Sequence, residues 1–287
     1  MVRPNTVASL WIGACLSPIE QLSLASFVAR GNPVILYSYN PVEGVPDGVE
    51  CRDAAEILPA TRILQYRKGV SQALHSNAFR VELLSKTDAV WVDTDIVAHR
   101  TFAFDSPYIF AEEKDGVFGN AVFRLPATSP ALRKIARPYR TGYGFPPDWP
   151  RAKRLRWMRI HLRLRYPIEN WRYGRAPLHF SRKLWETGEA RHALPSETFY
   201  PVLFADCARL IEPGGFDPGT LPRESHAVHL FTSRLKLLLA ERYGGRVPEG
   251  SYLDRQLRAH GVEWSVPSPQ DGGVPPTHAA HGTCAVS

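Results

Sequence analysis

Asp93-Thr94-Asp95 ends the apolar run Ala89-Val90-Trp91-Val92 and precedes Ile96-Val97. On an extended segment, carboxylates at i and i+2 point to the same side, and a buried strand carries such a pair at its tip only if the charge is compensated. A divalent cation is one compensator; a solvated acidic turn is the other. The stretch Ser71 to Ser85 lies just upstream, where Leu74, Ala78, Val81 and Leu84 recur at helical spacing. That spacing sets Asn77, Arg80 and Lys86 on or near another face of the same helix. An arginine beside a paired-carboxylate cation site suits a nucleotide diphosphate, because the metal takes some phosphate oxygens and the guanidinium fork meets others. Taken singly, Arg80 reads more readily as a surface arginine laying its stem over its neighbours.

The elements that must position these groups alternate early. Val7 to Ile12 reads as a strand and Pro18 to Arg30 as a helix with Leu22, Ala25, Phe27 and Val28 apolar, after which Pro33 to Tyr39 reads as a second strand. Asn40 to Asp53 is rich in Pro and Gly and reads as a loop, and Ala54 to Leu58 as a short helix or turn. Ser106 to Ala111 and Val117 to Leu125 read as two further strands joined by the acidic turn Glu112-Glu113-Lys114-Asp115-Gly116. The pattern predicts an α/β fold: a parallel or mixed sheet covered by helices on both faces, with its ligand crevice beyond the carboxyl ends of the strands. Trp11, Tyr37 and the acidic triplet all fall near such ends.

Composition sets the bounds. A chain of 287 residues with 44% hydrophobic content can fill the core of one large α/β domain. Cys15, Cys51, Cys207 and Cys284 have no Cys-x-x-Cys spacing, so neither a zinc site nor a disulfide framework is expected, and a cytoplasmic setting fits. Arg3 followed by Val7 to Leu16 is too short to span a bilayer and leads directly into the Pro18 helix start, so it reads as the first core strand. From Val266 onward Pro, Gly, His and Ser dominate; the tail 266–287 is expected to be disordered, with His278 and His281 as adventitious metal binders.

Ser76-Asn77-Ala78-Phe79-Arg80 followed by Trp91-Val92-Asp93-Thr94-Asp95-Ile96-Val97 resembles the sugar-nucleotide region of a family of DXD-containing glycosyltransferases. These are the transferases related to the yeast initiating α-1,6-mannosyltransferase, the α-1,4-galactosyltransferases and bacterial capsule and lipopolysaccharide transferases, the family 32-like group. Gly119-Asn120-Ala121-Val122 is similar to the family's Asn-Ala segment, and Ala227-Val228-His229-Leu230 to its late His-Leu segment. The likeness runs from about Val7 to about Leu238. Two departures stand out: Asn77 replaces the usual Asp, and Lys86-Thr87-Asp88-Ala89 replaces two glycines.

The resemblance implies a GT-A-like single Rossmann-type domain over 1–265 and a retaining, metal-dependent transfer of a sugar from a nucleoside-diphosphate sugar, UDP-sugar favoured, to a glycan or lipid-linked glycan hydroxyl in surface polysaccharide synthesis. Mn²⁺ or Mg²⁺ would sit on Asp95 and Asp93, with His229 rather than His226 completing the shell. Arg80 would stabilise the leaving diphosphate, Asn77 and Asn120 would orient the sugar, and Thr94 would lie along the donor. Trp11 would stack on the base, with Tyr37 and Tyr39 as weaker candidates. Each has a structural alternative: core packing for Trp11, a turn asparagine at Asn120, and a histidine packed under the helix Ser233 to Tyr243 for His229. A phosphohydrolase of the haloacid dehalogenase type, with Asp93 as nucleophile, and a non-catalytic sugar-nucleotide or lipid-binding relative are the other two classes.

Residues 133–175 form a second unusual region, read as a helical insertion. Arg151, Lys153, Arg154, Arg156, Arg159, Arg163, Arg165, Arg172 and Arg175 interleave there with Trp149, Trp157, Tyr166 and Trp171, and supply much of the net charge of +7. Such a surface fits an anionic lipid-linked acceptor or peripheral contact with the inner face of a membrane. Arginine with aromatics also suits RNA, but no RNA-binding signature accompanies it and no nucleic acid is expected. A solvated basic face is the plain alternative.

Overall fold

The computed structural model of the chain describes residues 3–68, 71–162 and 165–264. In chain order they form β1 (Val7–Trp11), α1 (Pro18–Ala29), β2 (Val34–Ser38), β3 (Val49–Asp53), α2 (Ala73–Lys86), β4 (Val90–Val92), β5 (Ile96–Ala98), β6 (Glu112–Lys114), β7 (Val117–Phe118), β8 (Val122–Phe123), α3 (Pro130–Thr141), α4 (Arg151–His161), α5 (Ala176–Thr187), β9 (Ala227–His229), α6 (Thr232–Tyr243) and α7 (Tyr252–Ala259). The tail 266–287, with His278, His281 and Cys284, lies outside the described residues, as does Arg163.

The central sheet has the order β3-β2-β1-β4-β8, with the first four strands parallel and β8 antiparallel to β4. The sheet is thus mixed and mainly parallel, as the alternation of strand and helix predicts. Side chains alternate between two buried clusters. Val7, Val34, Leu36, Val90 and Val92 face α1, α6 and α7, whereas Ala8, Ile35, Tyr37 and Trp91 face α2, α3 and α5. Both faces of the sheet are therefore covered, and the strands read as nearly continuous apolar runs for that reason. Chain order reverses between β1 and β4. In an open α/β sheet such a reversal leaves a crevice at the carboxyl ends of the two strands; here those ends are Trp11 and Asp93.

Helix α1 starts where the sequence places it: Pro18 supplies the fixed φ of a first helical residue, and the Ser17 N–H donates to the Glu20 carboxylate at 2.8 Å. On α2 the apolar set Leu74, Ala78, Val81 and Leu84 is buried. Arg80 is also buried there, at 3% exposure, so the surface reading of that residue is corrected.

Other expectations are also revised. The loop expected over Asn40 to Asp53 ends in the edge strand β3, whose side chains are almost all exposed. It is a strand because its backbone pairs with β2, not because of any apolar alternation. Ser106 to Ala111 makes only isolated bridges, Ile109 with Arg124 and Ala111 with Leu194. The acidic turn contracts to Asp115-Gly116, both at positive φ (50° and 74°), and β6 and β7 form the two arms of that hairpin. The strand expected over Val117 to Leu125 breaks at Gly119, where an added Cβ would run into the Tyr200 hydroxyl.

Candidate functional site

The acidic triplet is a turn and not the extended tip expected from its spacing, since the Ile96 N–H donates to the Asp93 carbonyl at 3.3 Å. This turn carries the chain out of the central sheet and into β5, which pairs antiparallel with β9. As a result the two carboxylates meet different cations.

Asp93 belongs to the sheet. Its N–H donates to the Ala121 carbonyl (2.7 Å), which extends the β4–β8 pairing by one residue. Its Oδ1 accepts from Arg80 Nη2 (2.5 Å) and from Trp91 Nε1 (2.6 Å), and the guanidinium lies 4.6 Å from the centre of the Trp91 ring. Arg80 Nη1 donates to Asn77 Oδ1 (2.5 Å), one turn earlier on α2, and Asn120 Nδ2 donates to the same oxygen (3.2 Å). Asn77 and Asn120, expected to share a pocket, therefore touch. The amide at 77 also matters electrostatically, because a carboxylate there would put a second negative charge on an arginine that Asp93 already balances. Removal from water raises the Asp93 pKa; Arg80 opposes that shift and Asp95 adds to it.

Asp95 belongs to the second sheet. His229 Nε2 stands 3.3 Å from its Oδ1, and the Thr232 N–H, at the start of α6, donates to Oδ2 at 3.1 Å. Between these partners Phe231 adopts the left-handed conformation (φ 52°, ψ 53°), which is strained for a residue with a bulky side chain. That turn is what aims both the imidazole and the helix N-terminus at one carboxylate. Burial would raise Asp95, but the charge and hydrogen bond of His229, together with Thr232, bring it below the usual range. Burial would lower His229, but Asp95 first, then Asp93 and Glu113, raise it.

The remaining expected residues are more dispersed. Thr94 is partly exposed between the two acids. Trp11 donates from Nε1 to the Cys15 carbonyl (3.1 Å) and packs against the core on the α1 side, at the carboxyl end of β1. Tyr37 is buried against Phe79, and the Tyr39 hydroxyl lies 2.8 Å from His75 Nε2. His226 leans on Phe104, with ring centroids 4.6 Å apart, and makes no contact with the acids. Lys86 points away and donates to the Ile57 carbonyl.

Four residues join the corner without having been singled out from the sequence. Glu113, on β6, contributes negative charge at His229, and its own pKa is raised by burial. Tyr200 packs edge-on against His229 at 5.9 Å. Tyr66 meets Tyr173 edge-on at 6.5 Å, and Tyr173, 59% exposed, stands beside Ser233 in the field of both carboxylates. Only the acid run at 112–115 carried any signal for one of these; the tyrosines come from segments with no motif.

The corner has unspent hydrogen-bonding capacity. Arg80 Nε, His229 Nδ1, Thr232 Oγ1 and the hydroxyls of Tyr66 and Tyr200 are buried without a partner, and they make up most of the buried side-chain atoms in that condition among the described residues. Buried polar atoms are nearly always paired, so such a concentration is unusual for a packed core. Among the described residues no group of three or more His, Cys, Asp or Glu side chains is arranged to enclose a metal by itself. Two carboxylates with free oxygen lone pairs are still a fitting seat for Mg²⁺ or Mn²⁺, hard cations that commonly share one or two protein carboxylates with substrate phosphates.

No family model matches the chain, and no curated protein matches it. Among solved structures, a protein described as "PaToxG Glycosyltransferase" is similar over 67% of this chain and 74% of its own, at 13% sequence identity and a TM-score of 0.38. A likeness this slight identifies neither fold nor activity.

Proposed function

We propose that the chain is a glycosyltransferase of GT-A-like architecture that moves a sugar from a nucleoside-diphosphate sugar, UDP-sugar favoured, to a hydroxyl of a glycan or lipid-linked glycan. One observation carries the reading. The segments 76–80, 91–97, 119–122 and 227–230, far apart in sequence, meet around Asp93 and Asp95 at the carboxyl end of the sheet, where the strand order reverses.

In this reading Asp95 and Asp93 would hold Mn²⁺ or Mg²⁺, which would supply positive charge to the departing diphosphate. Arg80 acts by fixing Asp93 and by placing its positive charge beside the diphosphate site. Asn77 and Asn120 present amide groups to sugar hydroxyls, while Trp11 borders the base end of the crevice. The bond from the anomeric carbon to the phosphate oxygen breaks, the acceptor oxygen bonds to that carbon, and the acceptor proton passes to the leaving phosphate. Retention follows if both events occur on one face of the sugar, since no carboxylate is assigned as a covalent nucleophile. Preplaced charge at the leaving group stabilises the transition state more than the bound donor.

The test is hydrolysis and transfer by the purified chain with UDP-, GDP- and CMP-sugars, with Mn²⁺ and with a chelator. Turnover of at least one donor, abolished by the chelator, is expected. A second reading has its own observation: Asp95 caps α6 and pairs with His229, a purely structural use of the acid. A non-catalytic sugar-nucleotide binder of that kind would show donor binding by calorimetry and no turnover. Trapping of a phosphoaspartate at Asp93 would instead mark a phosphohydrolase.

A further inference from the structure

The basic stretch that the sequence leaves open between lipid, RNA and solvent takes a definite form in the fold. We propose that α4 is a docking face for an anionic lipid bilayer. The helix carries Arg151, Lys153, Arg154, Arg156 and Arg159 with no acidic residue, and none of its residues is buried. Among the described residues Arg151, Arg156 and Arg159 make no ion pair with any carboxylate, so their charge is directed to solvent.

Aliphatic side chains share that surface. Leu155 is 51% exposed, Ile160 63% and Leu162 92%, the last on a left-handed residue that ends the helix. Water penalises exposed aliphatic carbon, whereas the acyl boundary of a bilayer accepts it, with the guanidinium groups left at headgroup level.

The aromatic residues beside α4 favour lipid over RNA. Trp149, Trp157, Tyr166 and Phe145 pack on one another, with centroids 4.9 Å apart for Trp149 and Tyr166 and 5.3 Å for Trp157 and Tyr166. Lys153 lies over Trp149 at 4.6 Å. These four rings are partly buried against one another, whereas the side chains that α4 itself leaves exposed are mainly cations and aliphatics. Base stacking needs open aromatic faces, whereas a bilayer does not.

Vesicle flotation of the full chain tests the proposal, with phosphatidylcholine alone and with added phosphatidylglycerol. Binding is expected only where phosphatidylglycerol is present, and it should weaken as salt rises. Each basic residue near such a surface is worth about fivefold in affinity, so Arg156→Glu with Arg159→Glu should lower partition by at least about tenfold. Leu155→Ser with Ile160→Ser should lower it about fivefold and leave the salt dependence intact. All four positions are exposed, so unchanged melting temperatures are expected. Equal partition of the charge-reversed protein, or equal binding to both vesicle types, overturns the proposal. So does single-stranded RNA that displaces the chain from vesicles and binds the serine variant as well as the parent. Vesicle binding does not depend on transferase activity, and none of these substitutions touches the acidic corner; the two readings therefore fail separately.

Discussion

Glu189 and the Asp93–Asp95 corner place carboxylates in the same α/β body by opposite means. Glu189 is 4% exposed, and both its oxygens are saturated by neutral donors. Ser129 Oγ (2.5 Å) and the Tyr108 hydroxyl (3.2 Å) donate to Oε1, while the Ala131 N–H (2.7 Å) and Thr187 Oγ1 (2.7 Å) donate to Oε2. Burial would raise its pKa, but these hydrogen bonds bring it below the usual range. At the start of α3 it also meets the positive end of the helix. In the corner, by contrast, each acid faces a cation, and several buried polar atoms around them have no partner. A saturated acid is a structural fastening; acids among unspent donors are what the proposed donor site uses.

The largest effect that would sharpen this contrast is on turnover. Asp95→Asn should cut metal-dependent donor hydrolysis by about 10³-fold, equivalent to about 4 kcal/mol, while circular dichroism stays that of the parent. Full activity in that variant would break the assignment. Glu189→Ala should do the reverse, costing about 3 kcal/mol in denaturant unfolding by stranding its buried donors, with the KM for donor unchanged in the protein that remains folded.

Acid should unfold the protein through histidines remote from the corner. His179 is buried with its pKa lowered to about 4 from 6.5, burial being the cause. The unfolded chain therefore binds a proton that the folded chain refuses, and stability should fall as the pH drops from about 6.5 towards 4. His179 alone accounts for a loss of about 3 kcal/mol at the lower end. His99, also lowered to about 4 by burial, acts in the same direction. His179→Phe should flatten the slope of stability against pH in that window. The smallest effect concerns the sugar end of the corner. Asn120→Ala removes one donor from Asn77 and should raise the donor KM by about tenfold with little change in melting temperature.

Much of the site was legible because its parts lie on strongly periodic elements. The apolar repeat at Leu74, Ala78, Val81 and Leu84 fixes α2, and with it the face that carries Asn77 and Arg80. The run Val90 to Val92 fixes the strand that delivers Asp93. What escaped reading had no period to show. β3 is polar and owes its existence to β2, the β6–β7 hairpin hides inside an acid run, and Tyr66, Tyr173 and Tyr200 arrive from irregular segments. The triplet itself misled, because spacing of two means a shared side only on extended backbone, and this backbone turns.

The chain alone determined that two acids would stand at the end of a buried strand, next to a helix bearing an arginine, since hydrophobic period and neighbourhood are local properties. Only the tertiary structure decided that Asp93 would take Arg80 and Asp95 would take His229. That choice depends on β5 leaving the central sheet to pair with β9, and on a left-handed Phe231 aiming imidazole and helix end together, which are contacts between remote segments that no local pattern encodes.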